Sequence, residues 1–384
     1  MWVKFKPCLL IILTNLLFIV ICFSQNNFAK KYWGSDYFNG PFKMINTFDN
    51  GYILMGHVFF WSTSKQHIFL IKTDSTGNMI WAKTIGEWDF VWENWDVIQT
   101  SDTNIILVGI PVGLNATIIL KFDSAGNLIW SKKYQSPNFL AVDKIIENSK
   151  GDYVLTGCDI IYLANKETLL LKKDKNKNAD PIKILPHQRE HPVFLKIDKN
   201  GNVKDFKLIK DTFDLTCGTS IIEADSSEYL VAGFTIIKSG AGPQFFYFAK
   251  LDSTGNKIFT KYIITDVMPS RGKPTIIYDK NKKNYTLFGA IFESIISNFP
   301  QNIFNLIIIN ILNNGTINRA KYYGKTYSDF WKQNYYVTQS GEYLVIGMVV
   351  RTDFVGNDIE DIFIIKFDTL GNTIWYKQIG DYGN

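Results

Sequence analysis

Short apolar runs of four to six residues recur along this chain, and each is closed by the same polar turn. Ile68-Phe69-Leu70-Ile71 leads into Lys72-Thr73-Asp74-Ser75-Thr76-Gly77-Asn78-Met79-Ile80-Trp81. Related stretches occupy Lys121–Trp130, Lys196–Asp205, Lys250–Phe259, Asn310–Arg319 and Lys366–Trp375. Runs this short, rich in Ile and Phe and bounded by turn residues, predict strands buried on both faces rather than helices. The turn chemistry fits a hairpin. Asp74 sits where a side-chain acceptor can take the backbone amides ahead of it. Gly77 sits three later, where φ becomes positive and a β-carbon would clash. The spacing returns as Asp123 with Gly126, Asp198 with Gly201, Asp252 with Gly255 and Asp368 with Gly371; the remaining copy has Leu312 but keeps Gly315. After the turn, a second strand carries a large aromatic: Trp81, Trp130, Phe259 and Trp375.

Upstream of each hairpin, an aromatic or apolar residue is followed four positions later by glycine. The pairs are Tyr52 with Gly56, Ile105 with Gly109, Tyr153 with Gly157, Tyr229 with Gly233, Tyr285 with Gly289 and Tyr343 with Gly347. A turn and one further strand precede each pair. Each unit therefore predicts four strands, a to d: in the first unit a over Phe42–Thr47, b over Tyr52–Gly56, c over Ile68–Thr73 and d over Met79–Thr84. The glycines closing strand b imply a close backbone approach or a turn. Hairpin glycines fall 49, 75, 54, 60 and 56 residues apart, from 77 through 126, 201, 255 and 315 to 371. Four short antiparallel strands at that period make the blade of a β-propeller, because one such sheet cannot keep both faces dry and must pack against its neighbours around an axis. The fold class is all-β, with six blades present. A lone strand-d pattern at Ala29–Gly34 leaves a second ring open: seven blades, the last incomplete. The long spacing marks a lysine-rich insertion over about 159–192 in the third blade, expected as a solvated loop.

The first 24 residues change the picture of where the chain works. Lys4 and Lys6 precede an uncharged apolar run from Cys8 to Phe23, the pattern of a secretory signal peptide, with cleavage expected between Ser24 and Gln25. A retained membrane anchor is the alternative reading. Residues 25–384 then form the propeller, with no later run long enough to span a bilayer. Removing residues 1–24 takes away two lysines and no acids, lowering the formal charge from +5 to +3, too little to argue for nucleic acid. Cys158 and Cys217 remain, which an exported chain could bridge, though two cysteines are no disulfide framework.

The repeat, apolar–Lys-x-Asp-x-x-Gly-Asn-x-apolar-Trp-x-Lys, resembles the repeats of bacterial secreted β-propeller proteins across Ala29–Asn384. Asp74-Ser75-Thr76-Gly77 with Trp81 is also similar to the tryptophan-docking repeat of quinoprotein dehydrogenases and their non-enzymatic outer-membrane-assembly relatives. The Asp-to-Gly gap is shorter here, and the vicinal cysteine pair of those dehydrogenases is missing. The hairpin is similar, too, to the Asp-box of sialidases. Those enzymes use an arginine triad, whereas the mature chain has only Arg189, Arg271, Arg319 and Arg351, none in that motif context. A shared architecture does not transfer chemistry.

Candidate chemistry is sparse. His187-Gln188-Arg189-Glu190-His191 matches a metallopeptidase pattern that needs both imidazoles on one helical face. Pro186 and Pro192 bracket it inside the insertion, so an exposed loop is expected, with no metal and no cofactor. The best lead is the link from each strand d to the next strand a. One reads Glu87-Trp88-Asp89-Phe90-Val91-Trp92-Glu93-Asn94-Trp95-Asp96; others carry Asp36-Tyr37 and Asp329-Phe330-Trp331. Such links leave one side of a propeller, and aromatic planes beside carboxylates suit sugars or peptide side chains. The expected contact face is Asp36, Tyr37, Trp88, Asp89, Trp92, Trp95, Asp329, Phe330 and Trp331; the competing reading has these aromatics plugging gaps between blades. The function this implies is a non-catalytic binding or scaffold module for carbohydrate or protein at the cell envelope. The alternatives are a glycosidase-like propeller with axial carboxylates of raised pKa, and an outer-membrane assembly scaffold.

Overall fold

The computed structural model describes residues 37–60, 65–88, 95–111, 116–162, 188–210, 215–236, 244–263, 268–269, 273–279, 283–293, 303–323, 329–338, 340–352 and 358–379. The expected signal peptide and the lone strand pattern at 29–34 lie outside them. Among the described residues no helix is long and apolar enough to cross a membrane.

The chain is a six-bladed β-propeller of four-stranded antiparallel blades. Blade 1 holds β1 (Tyr37–Asn46), β2 (Tyr52–Phe60), β3 (Lys65–Thr73) and β4 (Met79–Trp88). Blade 2 holds β5 (Asp96–Gln99), β6 (Ile105–Gly109), β7 (Thr117–Phe122) and β8 (Leu128–Tyr134). Blade 3 holds β9 (Phe139–Glu147), β10 (Tyr153–Tyr162), β11 (Gln188–Ile197) and β12 (Val203–Leu208). Blade 4 holds β13 (Leu215–Glu223), β14 (Tyr229–Ile236), β15 (Gln244–Leu251) and β16 (Lys257–Ile263). In blade 5 strand a is split into β17 (Met268–Pro269) and β18 (Thr275–Asp279), both paired with β19 (Asn284–Glu293), followed by β20 (Ile303–Ile311) and β21 (Ile317–Tyr323). Blade 6 holds β22 (Asp329–Val337), β23 (Tyr343–Thr352), β24 (Asp358–Phe367) and β25 (Thr373–Ile379). Every described blade uses four consecutive stretches of chain, and one parallel pair, Glu190 opposite Leu215, links blades 3 and 4.

The core lies between blades, as double-sided apolar strands require. Ile53, Ile68 and Leu70 of blade 1 meet Val97, Ile105 and Leu107 of blade 2. Further clusters join blades 2 and 3, 3 and 4, 4 and 5, and 5 and 6. Strands d carry the exposed apolar positions, such as Met79, Leu128 and Ile317, and so form the outer rim.

The hairpin turns behave as their spacing implies. Asp74 Oδ1 accepts from the backbone amides of Thr76 and Asn78, both at 2.8 Å, and the Gly77 amide closes on the Asp74 carbonyl at 3.1 Å. Five hairpins, those at Gly126, Gly201, Gly255, Gly315 and Gly371, also dock on the blade before them. The Trp81 indole donates to the Ser124 carbonyl at 3.1 Å, and its ring lies over Gly126, whose φ is +79° and whose added β-carbon would stand 3.2 Å from that ring. Without the carboxylate, the Leu312 turn is closed by Asn314, whose side chain accepts from the Thr316 amide at 3.0 Å.

Three expectations are corrected. Strand b does not generally end at its glycine: β2, β10, β14, β19 and β23 all run past it. At Gly157 and Gly233 a bulge in strand a brings backbone against the glycine, where a β-carbon would lie 1.9 Å from the Ala141 carbonyl oxygen and 1.7 Å from that of Cys217, whereas Gly109 and Gly289 make room for the Trp95 and Phe246 rings. The insertion is shorter than 159–192, since Asp159–Tyr162 extend β10 and Gln188–Pro192 open β11. His191 and Glu190 therefore lie half-buried in a strand, not in an exposed loop; His187 lies outside the described residues.

Candidate functional site

Strands a face the propeller axis, and three of them carry charge there. The Asp96 carboxylate, at the start of β5, is almost fully buried. It binds Lys43 Nζ of β1 at 2.8 Å and Lys144 Nζ of β9 at 3.1 Å, and accepts from the Ile145 amide at 3.1 Å. Blades 1, 2 and 3 thus meet at one carboxylate. Next to Lys144, Asp143 pairs with Lys273 Nζ at 2.7 Å. That pair joins blade 3 to blade 5 past blade 4, so it crosses near the axis. The Tyr336 phenol of β22, in blade 6, adds a smaller electrostatic contribution at Lys43.

The titration of these groups follows from the geometry. Burial alone would raise the Asp96 pKa, but Lys144, Lys43 and the Ile145 amide outweigh it and hold it at about 2. Burial opposes the charge on Lys43 as well, yet Asp96 overcomes this and raises its pKa. Lys144 goes the other way, to about 8, because burial and the neighbouring Lys43 charge together exceed the attraction of Asp96. Among the described residues this cluster holds three cations and two anions.

A second cluster borders it. Cys158 of β10 and Cys217 of β13 form a disulfide with Cα atoms 5.0 Å apart, joining blades 3 and 4. Asp143 lies beside that sulfur pair. The fully buried Asp159 accepts from Asn138 Nδ2 at 2.6 Å and from the Ser136 hydroxyl, tying the link before β9 to β10.

Of the sequence-derived contact residues, Trp95 belongs elsewhere. It is 4% exposed and packs among Val97, Leu107 and Ile68, a plug between blades 1 and 2 rather than part of a contact surface. Its indole lies where a side chain on Gly109 would be. Tyr37 begins β1, Trp88 ends β4, and Asp329, Phe330 and Trp331 begin β22, all at strand ends from which d-to-a links leave or arrive. Asp36, Asp89 and Trp92 lie outside the described residues. The axial residues Lys43, Asp96, Asp143, Lys144 and Lys273 were not singled out from sequence. The available signal was a charged residue inside an otherwise apolar strand a.

The chain matches no family model, and no curated protein sequence matches it. Solved structures do. A Dyadobacter fermentans protein of unknown function aligns with TM-score 0.51 at 10% identity, over 87% of this chain and 96% of its own. The β-propeller domain of the trilobed protease from Pyrococcus furiosus aligns with TM-score 0.47 at 11% identity, over 86% and 78%. An apocarotenoid oxygenase from Synechocystis aligns with TM-score 0.48 at 9% identity, over 88% and 71%. Identity this low shows the fold alone.

Proposed function

We propose that the chain is an exported, non-catalytic binding module that takes carbohydrate or protein at the cell envelope. The ligand would meet the face where strand d crosses to the next strand a. The observation that carries this reading is the position of Asp96. The aromatic and acidic link 87–95 runs from an outer strand to an inner one and arrives at a carboxylate fixed on the axis by Lys43 and Lys144. That anchor would set Trp88, Asp89 and Trp92 across the face, with Tyr37 and Asp329–Trp331 at neighbouring links. The opposite face is spanned by short a-to-b and c-to-d turns that hydrogen-bond to themselves and to the next blade. The Cys158–Cys217 bridge supports export, since such bonds persist in oxidising compartments.

The same geometry weighs against the glycosidase alternative. A general acid needs a raised carboxylate pKa, whereas Asp96 is held low by two amines. Affinity electrophoresis through soluble β-glucan, xylan and a sialylated glycan tests the reading. Retardation in at least one, lost in a Trp88→Ala/Trp92→Ala variant with an unchanged melting temperature, supports it. A variant that melts early while retardation persists shows that the aromatics plug the blades.

A further inference from the structure

The disulfide between blades 3 and 4 has a carboxylate beside it. Asp143 of β9, Cys158 of β10 and Cys217 of β13 bring one oxygen and two sulfurs within 4.8 Å of one another. A bulge makes this possible. Thr156 pairs with Lys144 and Gly157 with Val142, so Asp143 is the extra residue between them. A bulge re-aims a side chain, and here it turns the carboxylate across the blade boundary toward Cys217. The two carboxylate oxygens divide their tasks. Oδ1 accepts from Lys273 Nζ at 2.7 Å, and Oδ2 stands 4.0 Å from Cys217 Sγ. Both cysteines are buried, whereas the Lys273 side chain is half exposed and brings solvent to the edge of the cluster.

While the bridge is closed its sulfurs carry no charge and are poor ligands. A thiol reductant opens it by exchange: the reductant is oxidised to its own disulfide and the chain gains two thiols. Two thiolates on one zinc ion, each at ~2.3 Å, stand about 3.8 Å apart, which Cα atoms 5.0 Å apart allow. Asp143 Oδ2 already lies at about that distance from Cys217 Sγ.

We propose that in the reduced chain Cys158, Cys217 and Asp143 Oδ2 bind one Zn²⁺ ion, with solvent as the fourth ligand. Each thiol gives its proton to solvent as its sulfur takes the metal. Thiolates favour a borderline-soft cation over Mg²⁺ or Ca²⁺, and three protein ligands leave one open place of a tetrahedral site. Lys273 stays on Oδ1, where it orients the carboxylate as outer partners of metal ligands do. Charge is matched too: the cation and the Lys273 ammonium balance two thiolates and one carboxylate. Blades 3 and 4 are thus joined in either state, by a covalent bond or by a metal.

The test uses the full chain as Cys8→Ser/Cys22→Ser, which leaves only these two cysteines. A phosphine reduces the bridge without adding a competing thiolate. Co²⁺ then reports the site through thiolate charge-transfer and d–d absorption. One Co²⁺ per reduced chain is expected, displaced by Zn²⁺ but not by Mg²⁺, with no absorption from the oxidised chain. Zn²⁺ should raise the unfolding midpoint of the reduced chain and leave that of the oxidised chain unchanged. Asp143→Asn should fold when oxidised and, once reduced, bind Co²⁺ at least about tenfold more weakly. Should that variant misfold, X-ray absorption of the zinc-loaded reduced chain counts the ligands directly, and two sulfurs with oxygen neighbours are expected. The proposal is overturned by a reduced chain that takes no Co²⁺ or does not fold with Zn²⁺. Equal binding by the oxidised chain, unchanged affinity in Asp143→Asn, or a sulfur count other than two overturns it as well.

Discussion

The indole of Trp95 occupies the space a side chain at Gly109 would need: a β-carbon built there falls 1.9 Å from Trp95 Cδ2. The tryptophan comes from the link entering blade 2 and the glycine from the second strand of that blade, so the contact seats the end of the link in the core. Gly109→Ala should drive the ring out of place and destabilise the fold by about 1–3 kcal/mol, the usual cost of overpacking. Urea unfolding followed by tryptophan emission measures both the loss and a red shift. Unchanged stability would mean the ring has room to move.

Asp96 serves two lysines from neighbouring blades. Asp96→Asn leaves both amines without their shared anion, and with each lysine about a quarter exposed the loss should be about 2–3 kcal/mol. The pH dependence has a definite sign. The folded pKa is about 2 and the ordinary aspartate value 3.8, so the unfolded chain binds the proton more readily. The contribution is present above about pH 4 and is lost as pH falls through about 2. Acid titration of stability should therefore be shallower in Asp96→Asn over that window.

Lys144, at about 8, holds more of its amine unprotonated near neutral pH than an ordinary lysine. Limited reductive methylation at about pH 8 should modify Lys144 ahead of Lys43, whose pKa is raised. Peptide mass mapping reads the order. In Asp96→Asn the Lys144 amine loses its counter-ion and should react faster still.

The Cys158–Cys217 bond closes a segment with a sequence separation of 59 residues. On the loop-entropy account, removing such a crosslink costs about 4 kcal/mol. Cys158→Ala/Cys217→Ala should lower the denaturant midpoint, and the reduced wild-type protein should match it. Non-reducing peptide maps should recover the two cysteine peptides joined.

The blades were legible because each rests on local chemistry. Asp74, Gly77 and Asn78 write a turn within five residues, and Trp81 follows at a fixed distance. The axial cluster was not legible, because Lys43, Asp96 and Lys144 are brought together only by the ring, and no spacing between them repeats. The lysine before five of the hairpins was visible as a motif, but in four of them its partner lies on the preceding turn, 23 residues away in Lys72 and Asp49, so its purpose needed the fold. Strand b glycines misled in position, because neighbouring backbone at Gly157 and Gly233 and a neighbouring ring at Gly109 and Gly289, and not a turn, demand them.

A ring of six has its third and fourth members facing the junction of its last and first. The one covalent crosslink among the described residues therefore lies diametrically across from the place where chain order begins and ends around the circle. There, among the described residues, blade 1 and blade 6 share no strand, and Lys43 and Tyr336 sense one another electrostatically. The molecule is thus built like a bracelet, riveted at the back and clasped at the front. Amide exchange should open first along β1 and β22, and last along β10 and β13.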